Sequence, residues 1–394
     1  MRDRQARLAT YAAFAIQGLS FASLVTRVPH IQDVHGLSDA DLAIVLLLVP
    51  VIAGVGSFLS GLAFQRFGSA PVLRIGQPAV ALSIALIGLT GGELLPLYLY
   101  VALFGLAVGA VDASMNAQAV AVERREGKSV ISGFYAVWSA AGILGGLWAS
   151  LAGRLELSLY AGFVVPALLG LGGSLVLGSF LYKRHEEGSG PSAEELKAAG
   201  RLVPWKPVAL VGVAMACFYI ADAAISNYSA KYLQDELGSS ATVAPLAYVA
   251  YQVAMVLSRG VADFGVRRWG PVSIVRAGAV VGFAGMAGVV AAPNAGLAIA
   301  AVTVMGLGVC VVAPIAFAAA DRVDSTGLGI AVSRVNLFNY VGFVLGAAII
   351  GAFAPAEGES DLRTAFMIPT VLILVIFALA PSFAPKRITS PAAA

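Results

Sequence analysis

Twelve long apolar runs fill almost all of this 394-residue chain, and no other feature limits its fold so severely. Each run is ended by charge, Gly or Pro, and they fall at residues 8–28, 38–64, 72–92, 95–121, 129–152, 158–182, 206–231, 241–264, 271–292, 295–320, 327–353 and 362–384. About 20 apolar residues make a helix that crosses the hydrocarbon core of a bilayer. In that medium only helices and closed barrels satisfy their own backbone. Composition agrees, with 59% of residues hydrophobic and 12% charged, against about 25% charged in an ordinary soluble domain. A water-soluble globule is excluded, and after twelve spans the rest of the chain suffices only for short loops and one connector. The first run follows Arg2, Arg4 and Arg7 as the core of a signal peptide would. Eleven more spans follow and no small-residue cleavage site closes it, so it is expected to stay as the first helix.

Lys and Arg bias sets the orientation. With the N-terminus inside, Arg66, Arg74, Arg124, Arg125, Lys128, Lys183, Arg184, Arg267, Arg268, Lys386 and Arg387 face the cytoplasm, leaving Arg27, Arg154, Lys231 and Arg363 outside. The reverse would invert the positive-inside rule, so both termini are expected in the cytoplasm. The net charge of +3 is scattered singly or in pairs. Nucleic-acid binding needs basic patches interleaved with aromatics, so no such partner is expected. Cys217 and Cys310 sit in apolar runs, and His30, His35 and His185 lie in loops at no ligand spacing. Neither a disulfide framework, a metal nor another cofactor is expected. Gly127-Lys128-Ser129 ends like a phosphate loop, but the earlier Gly of G-x-x-x-x-G-K-[ST] would fall at Val122. No G-x-S-x-G elbow occurs either. The chain is therefore expected not to be an enzyme, nor to be driven by ATP.

The one long polar connector, 183–205, divides the chain into residues 1–182 and 206–394. A shift of about 200 residues lays FGLAVGAVDA (104–113) on MGLGVCVVAP (305–314) and Arg66-Phe67-Gly68 on Arg268-Trp269-Gly270. Gly-rich apolar segments can match by chance over such lengths. The helix count and the central connector favour duplication instead, and predict an all-α membrane protein of two pseudo-symmetric six-helix bundles joined by a cytoplasmic hinge.

These features resemble the major facilitator superfamily. Its loop motif between helices two and three, G-x-L-A-D-R-x-G-R-R, is similar to GLAFQRFGSA at 61–70. Gly61, Arg66 and Gly68 keep their places, while Gln65 replaces the acid and Ser69 the following base. The second half carries a fuller charged version in Arg259, Asp263, Arg267, Arg268 and Gly270. The resemblance implies a cytoplasmic gating role for these residues. Further segments resemble the YbjJ-like bacterial inner-membrane proteins, a branch that also takes in a membrane protein associated with rhizopine, an amino-inositol. They are Thr26-Arg27-Val28-Pro29, the stretch from Asp112 through Asn116 to Arg124, Gly133-Phe134-Tyr135, Asp222, and 306–308 with Pro314. Ser132, where the branch would have His, and Arg334 with Asn336, where it would have small or apolar residues, depart from it. Helix five has Gly142-Ile143-Leu144-Gly145-Gly146 without the Pro of drug–proton antiporters, which weakens a multidrug reading.

A charge at the bilayer centre costs about 2.5–3.5 kcal/mol on insertion scales, so it faces a bundle interior or a wet cavity. Asp112 and Asp222 both fall near mid-helix, roughly 14 Å from an end at about 1.5 Å per residue. Helical spacing groups Gly105, Gly109, Asp112 and Asn116 on helix four, and Tyr219, Asp222, Ser226 and Ser229 on helix seven. Helix one adds Gln17, Ser20 and Arg27, helix eight Tyr248 and Gln252, and helix eleven Arg334, Asn336, Asn339 and Tyr340. Tyr135 and Trp138, one turn apart, can stack on a sugar-like ring or simply pack. In the superfamily, helices one, four, seven and ten line the central cavity, which implies that these groups converge. The expectation is a secondary active transporter of a small polar solute, sugar-like or cyclitol-like by the resemblance, working by alternating access with proton coupling. Asp222 leads for coupling or substrate binding, then Asp112 and Asn116. Gln17, Arg27, Tyr135, Trp138, Tyr219, Ser226, Gln252, Arg334 and Asn336 are candidate cavity contacts. Its partners are expected to be lipid, the solute and protons, in a bacterial inner membrane and as a monomer. The alternatives are export of a drug or metabolite and a non-transporting sensor or accessory protein; Asp112 and Asp222 can also serve only to hydrogen-bond neighbouring helices.

Overall fold

Each apolar run folds as α-helix, and the polar residues between runs fix where helices begin. Ser38 accepts a hydrogen bond from the Asp41 amide while the Asp41 side chain returns to Ser38. Asn294 and Asp361 likewise cap the helices that follow them, accepting from the amides of Leu297 and Thr364. The computed structural model describes residues 1–127, 130–187, 193–352 and 361–384, apart from the side chains of Gln65, Ala193, Arg259, Val261 and Asp263. Its helices are α1 (Arg2–Val25), α2 (Val28–His35), α3 (Asp39–Phe67), α4 (Ser69–Leu89), α5 (Leu94–Glu126), α6 (Ile131–Arg154) and α7 (Leu159–Leu177). Then come the connector helices α8 (Arg184–Glu187) and α9 (Ala193–Leu202). They are followed by α10 (Trp205–Asp235), α11 (Leu246–Ala291), α12 (Ala295–Val309), α13 (Val312–Val323), α14 (Ile330–Ala352) and α15 (Leu362–Leu379).

Among the described residues, 11 helices are long and apolar enough to cross a membrane, with Leu246–Ser258 a shorter apolar helix besides. Three of the expected runs differ in detail. The runs 241–264 and 271–292 share one helix, α11, which begins only at Leu246 and is broken at Gly270, whose φ of 77° and ψ of 160° are not helical. The run 295–320 is split at Cys310 and Val311 into α12 and α13. Pro314 has no N–H for the Cys310 carbonyl and its ring crowds that oxygen, which is why the helix cannot run straight through. Gly68, between α3 and α4, adopts φ 80° and ψ 174°, nearly the conformation of Gly270. Both turn the chain sharply with positive φ, which Gly alone adopts without strain.

Packing repeats in the same order along the chain. The helix α1 lies on α6, α3 on α5, and α4 on α5 in the first half; α10 lies on α14 and α11 on α12 in the second. The backbones approach through glycines: a Cβ at Gly109 would overlap the Ala53 carbonyl of α3, and one at Gly342 would meet the Ala216 carbonyl of α10. Close approach is how helices associate in lipid, where burial of apolar surface gives no net drive. The halves meet through α6 against α11 and α3 against α14.

The connector is anchored at both ends. Arg2 donates to Glu186 at 2.8 and 2.6 Å, and Arg184 donates to the Arg66 carbonyl at 2.9 Å. Glu187 accepts from the Ser69 amide (3.0 Å), the Ser69 hydroxyl (2.9 Å) and Gln118 (3.1 Å), so a connector carboxylate caps α4. On the other side, Arg334 donates to the carbonyls of Gly200 (2.5 Å) and Val203 (2.7 Å) and lies over the Trp205 ring at 4.1 Å. The end bearing the connector is called the linker end, and the opposite one the far end.

The hydrogen bonds from Arg2 hold the Glu186 carboxyl down to about 2, from an ordinary 4.5. A depressed carboxyl stabilises the fold fully above its ordinary value and loses that contribution as pH falls toward the depressed one. The thermal midpoint of Glu186→Gln is therefore expected to lie below wild type at neutral pH, with the difference shrinking as pH drops below about 4.5. A difference that is constant from pH 7 to pH 3.5 refutes this.

Candidate functional site

At mid-depth the two halves present polar side chains to each other. Asp112 lies 14 residues from the Glu126 end of the 33-residue helix α5, about 21 Å in at 1.5 Å per residue. Its carboxylate accepts from Gln17 Nε2 of α1 at 3.2 Å. One turn on, Asn116 donates to the Asp112 carbonyl (2.8 Å) and accepts from the Tyr135 hydroxyl of α6 (2.9 Å). Tyr135 keeps 38% of its surface exposed and meets Phe14 edge-on. The second half completes this group: the Tyr340 hydroxyl of α14 lies beside Ser57 of α3 and Asn336 of its own helix, within the field of Asp112. Asn336 also accepts from Asn339 at 3.3 Å.

Asp222 is placed differently. It is 6% exposed, within the second half, and accepts from the Tyr251 hydroxyl of α11 at 2.5 Å. The same hydroxyl lies 3.9 Å from the Cys310 sulfur, at the break between α12 and α13. Tyr248, also in the field of Asp222, accepts from Gln252 at 2.6 Å. Tyr248 packs against Ala22 and Val25 of α1, and Gly142 of α6 faces both Tyr248 and Gln252. The acid thus sits behind a row of tyrosines whose far side touches the first half. Ser226, buried one turn beyond Asp222, shares its helix face.

Two glutamines, one from each half, keep an unsatisfied atom here. Gln17 is 2% exposed and Gln252 is 1% exposed, yet Oε1 of each accepts nothing from the described residues. A buried polar atom without a partner costs about 1–3 kcal/mol, and such atoms in folded proteins are normally met by water or ligand. An aromatic group adjoins them. Phe21 of α1 lies 6.2 Å from Trp138 of α6 and 6.5 Å from Phe343 of α14, which is 6.1 Å from Tyr219 of α10. Four helices, two from each half, therefore share one aromatic contact.

Other expected residues lie apart. Arg27, 4% exposed, is packed at the far end, donating to the Leu157 carbonyl (3.0 Å) and to His30 (2.9 Å) over the Phe163 ring. Arg334 is taken up by the connector. Gly61 and Arg66 are exposed on α3, and the guanidiniums of Arg66 and Arg268 lie over the rings of Phe67 and Trp269. The side chains of Arg259 and Asp263 are outside the described residues.

Lys231 is not marked by any motif in the sequence. Assigned to an outer loop, it is 3% exposed and bonds across the halves, to Asp39 at 2.8 Å and Gln32 at 2.7 Å. Its signal was a lone Lys at the end of an apolar run with Asp235 at i+4. Tyr251, between Tyr248 and Gln252 on the one side and the Asp222 carboxylate on the other, is likewise unmarked. Further contacts between the halves are Ser150 to the Thr242 carbonyl (2.6 Å), also at the far end, and Ser139 with the Met255 sulfur (3.9 Å).

Tyr251→Phe is expected to remove one donor from a buried carboxylate, at a cost of about 1–3 kcal/mol. In thermal unfolding of the detergent-purified protein, its midpoint should fall below that of Asp222→Asn, which keeps an acceptor for the Tyr251 hydroxyl. The opposite order refutes the assignment of this bond.

A sequence profile of the Major Facilitator Superfamily matches residues 10–326 and, again, 213–393. The chain is 30% identical over 380 residues to the uncharacterized transporter y4wD of Sinorhizobium fredii, covering 94% of this chain and 96% of that protein. It is 28% identical over 346 residues to the membrane protein MosC of Rhizobium meliloti, covering 88% and 83%. Its fold resembles the crystal structure of the nucleoside transporter NupG, with a TM-score of 0.73 at 16% identity over 98% of this chain and 100% of that one.

Proposed function

Because this chain belongs to the major facilitator superfamily, we propose that it is a secondary active transporter that moves a small polar solute by alternating access. It is a multi-pass membrane transporter, and its relatives and fold are those of transporters rather than enzymes. Lipid and a small-molecule substrate are its partners. The proposal extends this to twelve spans, with the broken helix α11 supplying two of them and both termini cytoplasmic. The halves 1–182 and 206–394 act as six-helix bundles, and the linker end faces the cytoplasm of a bacterial cell. The repeated packing order and the matching conformations of Gly68 and Gly270 support the two-bundle division. Nothing about the site requires a second copy, so a monomer is the working unit.

One observation carries the solute class. Buried amide oxygens of Gln17 and Gln252, from opposite halves, have no protein partner among the described residues, beside a carboxylate and two tyrosine hydroxyls. Such a surface is stable when wet, or when a solute rich in hydroxyls replaces the water. Under this reading Asp112, Asn116, Gln17, Tyr135, Tyr340 and Asn336 contact the solute, and Trp138 and Tyr219 border it. The cyclitol-like or sugar-like candidates fit a site of amides and hydroxyls around one carboxyl group, with a stacking ring. Asp222, within the second half and tied to Tyr251, is the proton-coupling residue. One elementary charge moving through 100 mV is worth about 2.3 kcal/mol, a sufficient drive for accumulation. The charged turns at Arg66 and Arg268 gate the linker end.

A second reading is favoured by the shared aromatic contact of Phe21, Trp138, Tyr219 and Phe343, and by the turning of Asp222 toward Tyr251. These suit export of a flat, less polar metabolite or drug.

Proteoliposome flux across a panel of polyols, sugars, amino-sugars and drugs, with and without a pH gradient, separates these readings. Gradient-driven movement of a polyol or sugar is expected, abolished in Asp112→Asn and uncoupled from the gradient in Asp222→Asn. Transport of drugs alone favours the second reading. Absence of flux from verified vesicles overturns both and leaves a sensor or accessory role.

A further inference from the structure

Lys231 is buried where the two halves close on each other at the far end. Its ammonium donates to Asp39 (2.8 Å), in the first turn of α3, and to Gln32 (2.7 Å) on α2, both in the first half. It also donates to Asp235, one turn along its own helix. Gln32 in turn donates to Asp39 at 2.7 Å, so the amide holds the carboxylate in place. Two acids therefore share one cation, and they differ in ownership. Asp39 belongs to the opposite half, whereas Asp235 moves with Lys231. They differ in surroundings too: the side chain of Asp39 is 16% exposed and that of Asp235 is 36% exposed.

We propose that Lys231 is a positioning residue of the transport cycle that exchanges carboxylates, being shared by Asp39 and Asp235 when the far end is shut and held by Asp235 alone when it opens. The proposal rests on the transporter reading above. A buried cation stripped of its partner is strongly destabilised, so a gate closed by Asp39 alone would resist opening. Asp235, already in place at i+4, removes that barrier. The two carboxylates also repel each other, and they do so at close range only in the shut state, where both face Lys231. Asp235 thus weakens the seal in the shut state and supports the cation in the open one. The two acids act in opposite directions on one equilibrium.

That opposition is testable, because a simple bridge with two acids predicts that removing either one loosens the seal. Spin labels are placed at Glu93→Cys and Ser240→Cys, exposed far-end positions on opposite halves. Cys217 and Cys310 are buried, at 5% and 0% exposure, and are left in place. Distances between the labels are read by pulsed electron paramagnetic resonance in lipid nanodiscs. Because the open population of the wild type can be too small to fall measurably, Gln32→Ala supplies a background in which one bond to Lys231 is lost and both acids remain. In either background Asp39→Asn is expected to raise the long-distance population several-fold. In the Gln32→Ala background Asp235→Asn is expected to lower it several-fold. Asp39→Glu and Asp235→Glu, which keep the charge, should fall between each amide variant and its parent, which separates the charge effect from misfolding. A rise in the long-distance population for both amide variants, or no effect of Asp235→Asn in the Gln32→Ala background, overturns the exchange while leaving alternating access standing. A single unchanging distance in every variant overturns alternating access, and the exchange with it.

Discussion

A bilayer offers no water to an unpaired polar group, and that constraint governs everything else in this molecule. It forces the backbone into helices, because each helix satisfies its own amides and carbonyls. It also removes the usual hydrophobic drive between helices, so contact comes from close backbone approach at small residues such as Gly109 and Gly342. What remains to be explained after that is the set of polar side chains inside the membrane. Most are spent locally: Thr10, Ser23, Ser60 and Thr370 donate to carbonyls one turn back on their own helices. Others bond between helices, among them Gln17 to Asp112 and Tyr135 to Asn116 in the first half and Tyr251 to Asp222 in the second.

The contact between the halves has a graded chemistry. Near mid-depth polar side chains are joined by aromatic rings and by glycines facing side chains, such as Gly142 against Tyr248. At the far end it is polar, with a buried ammonium, two carboxylates and a serine hydroxyl on a backbone carbonyl. At the linker end the described ion pairs and hydrogen bonds run instead within one half, as in Arg7 to Glu126 and Arg125 to Asp3, or from each half to the connector. Separation of the halves at the linker end breaks fewer polar bonds than at the far end, so the arrangement is that of a molecule shut at the far end.

The spans were legible because their signal is length and apolarity, which lipid demands of every helix independently of its neighbours. Gly68 and Gly270 were legible as a repeated pair because a turn with positive φ requires that residue type. The acids Asp112 and Asp222 stood out because a carboxylate in an apolar run is costly anywhere. Which neighbours they meet was not legible, since Gln17 and Asp112 are 95 positions apart and Asp222 and Tyr251 are 29 apart. Lys231 and Arg334 show the same limit from the other side. Both sit at the ends of apolar runs, where a cation either reaches water or finds a partner on another element. Arg334 finds the connector carbonyls and Lys231 finds Asp39, and no local pattern distinguishes these outcomes. The capping of α4 by Glu187 is equally nonlocal, a bond across 118 positions that turns the supposed hinge into a clasp at its first end.

The separate settings of the two intramembrane acids give them separate uses in the proposed cycle. Asp112 lies where the halves face each other, with Tyr340 contributed by the opposite half, so a solute entering between them meets it directly and any separation of the halves changes its surroundings. Asp222 is sheltered from the solute by Tyr248 and Tyr251, and its link leads to Cys310, where Pro314 breaks the helix. A helix already interrupted bends at lower cost than an intact one, since the bonds that resist bending are missing there. Movement of α13 relative to α12 would carry Cys310 against Tyr251 and so alter a hydroxyl from which Asp222 accepts. Under that proposal a proton held or released at Asp222 is tied to the bend of that helix, while Asp112 is tied to the solute. The two acids become coupled through the motion of the half that contains only one of them.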